Sequence, residues 1–289
     1  LGNISEGLTF EAVDLTAKAS LRPSTIAGFA IENGSIDGDL RNDLLTIRTF
    51  DVKGRDLDLS AMGKLALNES DESDLKFQAD TPSLDGVGTI LDKPLKGIAR
   101  IDGTVTGNKR ELKASGNLNG NGVAYGSTSA LTMTTKYDAR VENLEFGHAQ
   151  VTAETAATFV TLAGQNINEL SAKTEYNDRQ INFEATAKQA ERSLTTSGSL
   201  LLHPDHQEVH LRQLDLAAQN SRWQLRTGTQ PAIQYGGDIV SVDRIELVSA
   251  DQAVTASGGF GDSEKQLTVG LENLDLATVD AVLLRQPQF

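Results

Sequence analysis

The residues best suited to chemistry are three histidines in one short segment, His203, His206 and His210. On a helix, His206 and His210 would share one face, as the histidine ligands of many zinc sites do. However, Pro204-Asp205 is typical of a turn, and Val209-His210-Leu211 alternates like a strand. The sequence therefore predicts an exposed hairpin turn, with His210 directed to solvent and no metal ion bound.

Other segments come close to calcium-binding patterns without completing them. Gly258 to Asp262 is similar to one calcium-binding nonapeptide repeat, but the pattern occurs once and its Asp stands one position early. Asp37-Gly38-Asp39 departs from the EF-hand loop because Arg41 occupies a ligand position. The acidic segment Asn68 to Asp74 is predicted to be a solvated turn between two strands.

Motifs of the common enzyme classes are missing from the sequence. It contains no Walker-type phosphate loop, no Gly-x-Ser-x-Gly elbow and no His-Glu-x-x-His pair. Carboxylates are plentiful, but none stands in a recognisable acid/base setting. We therefore predict a protein that is not an enzyme, with no catalytic residue, no metal and no cofactor.

Composition narrows the class of partner. The formal charge is −14, from 26 basic and 40 acidic residues, which argues against nucleic acid and against an anionic membrane surface. There is no cysteine, so a disulfide framework is excluded. The aromatic share is only 5%, which favours a thin layer of β-structure over a thick globular core.

Alternation with a period of two residues dominates the chain. Leu57 to Leu67 places apolar or small residues at every odd position, and Asp58, Ser60 and Lys64 stand between them. A strand collects such residues on one face, whereas a helix scatters them around its circumference. Turn chemistry separates these runs, and Asn33-Gly34 is the strongest hairpin signal among them; Gly103 and Gly107-Asn108 are predicted turns as well.

A short pattern recurs four times: apolar, any residue, small, any residue, Gly, any residue, apolar. Its glycines are Gly63, Gly116, Gly198 and Gly258, at irregular spacings. Glycine within a strand permits sharp bending or close approach of a neighbouring backbone. Three copies lead into a further alternating strand and then a Leu-Asp pair, at Leu84, Leu214 and Leu274.

Helix is predicted to be scarce. Leu276 to Leu284 has the composition for about two turns, and Ser83 to Leu91 for one turn after Pro82. The content of Thr and Val in Ala149 to Ala163 favours a strand. No linker is evident, so residues 1–289 are predicted to be one continuous repetitive β-rich region, an internal part of a longer protein.

A long single sheet must hide its apolar face by closing, by pairing with a second sheet or by curling along its length. We predict an all-β fold built from an elongated, curled β-sheet with an apolar groove. A closed sandwich core is the alternative for the same residues. The predicted groove-lining residues are Leu65, Leu67, Phe77, Leu200, Leu202, Leu211, Phe260 and Val269.

The Gly-centred strands, the Gly-Asn-Asp turns and the stretch Leu271 to Leu283 resemble the repetitive periplasmic region of TamB-type translocation and assembly module proteins, which belong with the AsmA-like proteins. Ile31 to Gly38 and Ile101 to Gly107 are similar to turns that are frequent in that family. The resemblance covers most of the chain but includes no catalytic motif.

The resemblance implies a protein of the periplasm, anchored in the inner membrane by a segment outside this chain. It implies a β-taco groove that aids outer-membrane biogenesis, by lipid transport between membranes or by assembly and secretion of outer-membrane proteins. The implied partners are phospholipid acyl chains or an unfolded outer-membrane polypeptide, and an outer-membrane protein contacted through a region not present here. A structural or adhesive β-solenoid spacer without cargo, and a glycan-active β-helix enzyme, are the alternatives; one Trp and four Tyr make a sugar platform a poor fit.

Overall fold

The structure, a computed structural model, describes residues 14–26, 29–162, 164–218, 221–236, 239–261 and 265–274. These residues form nineteen strands, one α-helix and a 3-10 helix, Phe146–His148. The prediction of an all-β fold with very little helix is confirmed. The elements are β1 (Leu15–Leu21), β2 (Ser24–Ile26), β3 (Phe29–Arg41), β4 (Leu44–Gly54), β5 (Asp58–Ala66), β6 (Ser73–Thr81), α1 (Leu84–Leu91), β7 (Leu95–Asn108), β8 (Glu111–Tyr125), β9 (Thr128–Glu142), β10 (Gln150–Leu162), β11 (Gln165–Asn177), β12 (Gln180–Gln189), β13 (Arg192–Leu202), β14 (Gln207–Ala218), β15 (Ser221–Leu225), β16 (Ala232–Gly236), β17 (Ile239–Ser249), β18 (Gln252–Gly261) and β19 (Lys265–Glu272).

The chain divides into two compact units, residues 1–165 and 166–289. In the first unit, each strand from β3 to β10 pairs antiparallel with the next, and β1 and β2 both pair with the outer edge of β3. The prediction of one continuous region over residues 1–289 stays a prediction.

The second unit is a similar antiparallel meander with one interrupted position. Strands β11 to β14 pair in sequence, and β17, β18 and β19 do the same. Between β14 and β17, the short strands β15 and β16 lie end to end, and each pairs with both neighbours. Together, β15 and β16 occupy the position of one long strand between β14 and β17.

Helix α1 begins as the sequence predicts. Ser83 caps α1, because its hydroxyl oxygen accepts the backbone N–H of Asp85 at 3.3 Å. The helix ends at Asp92, whose backbone is left-handed and whose N–H returns to the last turn. The predicted strand within Ala149 to Ala163 is confirmed as β10, and the predicted helix at Leu276 to Leu284 lies outside the described residues.

Two of the predicted turns are strand interiors instead, and a third ends a strand. Asn33-Gly34 lies within β3, and Gly103 lies within β7. Asn33-Gly34 is extended because β3 pairs on both sides here: Gly34 is opposite Leu21 of β1 and Val52 of β4. The chain reverses later, at Asn42 and Asp43, whose φ values of 50° and 57° suit a two-residue hairpin turn. Gly107 and Asn108 likewise close β7, and the turn follows at residues 109–110.

The Leu-Asp pairs that follow three of the repeats do not share one structure. Leu84 and Asp85 open α1, whereas Leu214 and Asp215 lie within β14. In the third pair, Leu274 is the last residue described and Asp275 lies outside the described residues. The repeated feature is therefore the Gly-centred strand and its successor.

Each unit is a single layer of strands rather than a packed globule. Among the described residues, no large side chain is fully buried. Many strands nevertheless alternate between half-buried and exposed positions, as in β5 and β8. Half-burial of one face without a covering second layer results from a sheet that curls over its own side chains. This agrees with the predicted curled β-groove.

Candidate functional site: an apolar face on each unit

The strand register of the first unit collects apolar side chains on one face. Leu59 and Leu65 of β5 share this face with Leu75 and Phe77 of β6, because Leu59 is opposite Ala79 and Ala61 is opposite Phe77. The same rows continue through β7, β8 and β9 to β10. The residues at these positions are Ile101, Val105, Leu112, Ala114, Leu118, Ala139, Val141 and Val151.

Two aromatic side chains cover a pair of glycines at the centre of this face. Phe77, Gly103, Gly116 and Tyr137 stand opposite one another on four successive strands. A Cβ atom added at Gly103 would lie 2.5 Å from the Tyr137 hydroxyl oxygen and 2.9 Å from Cζ of Phe77. The rings occupy space that only glycine leaves free, so glycine and aromatic residue form one packing unit.

The Tyr137 hydroxyl also has a hydrogen-bond partner. It donates to the backbone carbonyl oxygen of Asp102 at 3.2 Å. Partial burial and the nearby Asp102 carboxylate together raise the pKa of Tyr137 above its ordinary value. The ring therefore stays neutral and fixed against the sheet at any physiological pH.

The four repeat glycines serve one structural purpose, which confirms the prediction of close backbone approach. A Cβ atom added at any of them would lie 1.9–2.1 Å from a backbone carbonyl oxygen of a neighbouring strand. Three of them also lie at β-bulges: Gly63 near the bulge of β4, Gly198 at that of β14 and Gly258 at that of β17. Bulges increase local twist and bending, so the repeated glycines mark where the sheet curls.

The second unit has an apolar face of the same kind. Phe183 is opposite Gly198, and a Cβ atom at Gly198 would lie 3.0 Å from Cζ of Phe183. Trp223 and Leu225 of β15 continue this face and are 4% and 9% exposed. The indole Nε1 of Trp223 is buried and has no hydrogen-bond partner. A buried donor without a partner is costly.

The apolar face becomes open at the last strands described. Val254 and Ala256 of β18 are opposite Leu271 and Val269 of β19, so these side chains share one face. Leu271 is 60% exposed, Val269 54% and Phe260 70%. Large apolar side chains exposed together in this way mark binding surfaces more often than isolated ones do.

The opposite face is polar and carries paired charges across the strands. Asp215 accepts hydrogen bonds from Arg222 Nε at 2.9 Å and from Gln224 at 2.9 Å, and the guanidinium lowers the pKa of this carboxyl group. Hydrogen bonding from Lys113 likewise lowers the pKa of Glu111. Further cross-strand ion pairs are Arg100–Asp80, Arg140–Glu111 and Lys188–Glu169. The two faces of the sheet therefore differ sharply in chemistry.

Side chains in two of the segments that come close to calcium-binding patterns make hydrogen bonds or ion pairs within the protein. Arg48 Nε donates to Asp37 at 2.7 Å, and the same guanidinium contacts Asp39; the hydrogen bond from Arg48 lowers the pKa of Asp37. The acidic turn before β6 is organised by Asn68, whose side-chain oxygen accepts the backbone N–H groups of Ser70 and Asp71. It is a loop between two strands, as predicted. The segment from Gly258 runs along β18, and its Asp262 lies outside the described residues.

The predicted groove-lining residues have different degrees of exposure. Leu211 is buried, and Phe260 and Val269 are exposed. Leu65, Leu67, Phe77, Leu200 and Leu202 are half-buried. Their role in lining a groove stays a prediction. Sequence reasoning missed Tyr137, Phe183 and Trp223, whose positions on this face follow only from the register; the single tryptophan was the one available signal.

In the described part of the chain, no helix is both long and apolar enough to cross a membrane. Comparison with protein-family models, with curated proteins and with solved structures gives no match. The fold and the apolar face therefore carry the functional argument alone.

Proposed function

We propose that this chain is a hydrophobic β-groove of the TamB type that acts in the periplasm and aids outer-membrane biogenesis by carrying phospholipid acyl chains. The single observation that supports this is the two-faced single-layer sheet. In each unit, apolar side chains share one face that is only partly covered, and charged pairs occupy the other face.

Acyl chains suit this face better than a ligand with many polar groups. The apolar rows consist largely of aliphatic and small side chains, which provide area without hydrogen-bonding groups. Transfer of apolar surface from water is worth about 25 cal/mol per Å², so contact along several strands is sufficient for binding.

The experiment compares two double variants of β19 that differ only in which face of the sheet carries the two new charges. Val269→Asp with Leu271→Asp places charge on the apolar face, and Gln266→Asp with Thr268→Asp places the same charge on the polar face. All four positions are exposed, so both proteins should fold. Phospholipid that co-purifies with the protein from a bacterial envelope fraction is then counted by native mass spectrometry.

We expect phospholipid on the unmodified chain and on the polar-face variant, and at least a tenfold loss on the apolar-face variant. Equal retention by both variants, or a folded chain without any lipid, would contradict the proposal. A lipid-free protein that instead retains unfolded outer-membrane polypeptide would assign the face to protein assembly. A protein with neither cargo would be a spacer.

A further inference from the structure

The hairpin between β13 and β14 brings two histidine rings together. Leu202 and Gln207 form its last cross-strand pair, and residues 203–206 make the loop. The backbone N–H of His203 donates to the carbonyl oxygen of His206 at 3.0 Å and closes the loop. The two imidazole rings then stack, with centroids 4.4 Å apart and an angle of 17° between their planes. The predicted turn is confirmed, but its histidines converge.

A carboxylate completes the group. Glu208, two residues beyond His206, lies with one oxygen 3.7 Å from Nε2 of His203 and the other 3.0 Å from Nε2 of His210. One ligand atom each from His203, His206 and Glu208 lies within 4.8 Å of the others. Tetrahedral zinc sites with bonds of 2.0–2.2 Å place their ligand atoms roughly 3.4 Å apart, so small side-chain rotations suffice. His210 therefore contacts Glu208 on the polar face, and its side chain is 36% exposed.

Two neighbouring groups prepare His206 to act as a ligand. Asp205 Oδ1 lies 2.9 Å from Nδ1 of His206, the arrangement in which a carboxylate fixes a metal-binding imidazole and leaves Nε2 free. Gly236 of β16 supports the loop from behind, since a Cβ atom there would lie 2.6 Å from Cα of His206.

We propose that His203, His206 and Glu208 bind a divalent transition-metal ion, with Zn²⁺ as the best fit to two imidazoles and one carboxylate. Such ligands favour zinc, copper and nickel over calcium and magnesium, which take oxygen ligands. Three protein ligands leave one coordination position for water. The side chains are 25–42% exposed, so the ion reaches the site directly from solvent. This inference is independent of the function proposed for the apolar face.

The test is isothermal titration calorimetry of ZnCl₂ into the chain, prepared without a histidine tag and treated with a chelator. We expect one saturable equivalent of Zn²⁺, with at least tenfold weaker binding for His206→Asn and for Glu208→Gln. His148→Asn, which removes the one histidine outside this hairpin, is the matched control and should bind as the unmodified chain does. No saturable binding, or equal binding by all variants, would overturn the proposal.

A second measurement needs no variant and excludes effects on folding. In the unmodified chain, ¹⁵N NMR of the histidine ring nitrogens during Zn²⁺ titration should shift Nε2 of His203 and His206 together at one equivalent. The His148 signals should stay unchanged. Shifts spread equally over all four histidines would mean non-specific surface binding and would contradict the site.

Discussion

The hydroxyl of Tyr137 in β9 reaches across β8 and donates a hydrogen bond of 3.2 Å to the backbone carbonyl oxygen of Asp102 in β7. It does so over Gly116, where a Cβ atom would lie 2.7 Å from the same hydroxyl and 1.9 Å from the same carbonyl oxygen. A side chain at position 116 would therefore displace both groups. This contact links three strands on the apolar face.

Gly116→Ala is expected to lower the free energy of unfolding by about 1–3 kcal/mol, because the added methyl group overpacks the sheet. Gly147→Ala is the matched control, since a Cβ atom there meets nothing within 4 Å, and it should stay within about 0.5 kcal/mol of the unmodified chain. Urea unfolding monitored by circular dichroism measures both values. Equal stability of the two variants would show that position 116 does not need glycine.

Tyr137→Phe is expected to cost about 1 kcal/mol of stability through the lost hydrogen bond to Asp102. Because the folded pKa of Tyr137 is raised, its neutral form contributes stability that is complete below the ordinary pKa of 10.0 and is lost as the pH rises through the folded value. NMR titration of the ring ¹³Cζ signal that disappears in Tyr137→Phe gives this pKa. A midpoint at or below 10.0 would contradict the burial of this ring against the sheet.

Asp215→Asn removes the carboxylate that pairs with Arg222 and Gln224 on the polar face. The folded pKa of Asp215 is lowered, so the pair stabilises the chain above the ordinary value of 3.8 and this stability is lost as the pH falls through the folded pKa. The variant should melt a little earlier than the unmodified chain at pH 6, and the difference should disappear at low pH. A difference in melting temperature that grows on acidification would contradict this account.

Much of the fold follows from the sequence because strand alternation is a local signal. The strands around Leu65, Phe77 and Leu211 and the helix after Pro82 were predicted from patterns of a few residues. Asn33-Gly34 was predicted wrongly, since pairing with β1 and β4 outweighs the local preference for a turn. A local turn signal produces a turn only where the segment does not pair with neighbouring strands on both sides.

The groups that matter most for function could not be predicted because they depend on register. Tyr137 and Gly116 are 21 positions apart, and nothing local indicates that they lie opposite each other. The same holds for Phe183 and Gly198, which meet across the β12–β13 pair. The histidine turn was predicted correctly as a turn, but the convergence of its rings on Glu208 depends on side-chain positions that no spacing rule gives.

The most direct test of the apolar-cargo proposal uses the single tryptophan as a probe. Trp223 lies on the apolar face of the second unit, so its fluorescence is recorded while the chain binds phospholipid that carries bromine in its acyl chains. Bromine quenches indole only at close range, and unbrominated phospholipid of the same headgroup is the control. We expect saturable quenching by the brominated lipid, and weaker quenching in the variant that combines Val269→Asp with Leu271→Asp. Binding of lipid without quenching, or the same quenching in that variant, would contradict it.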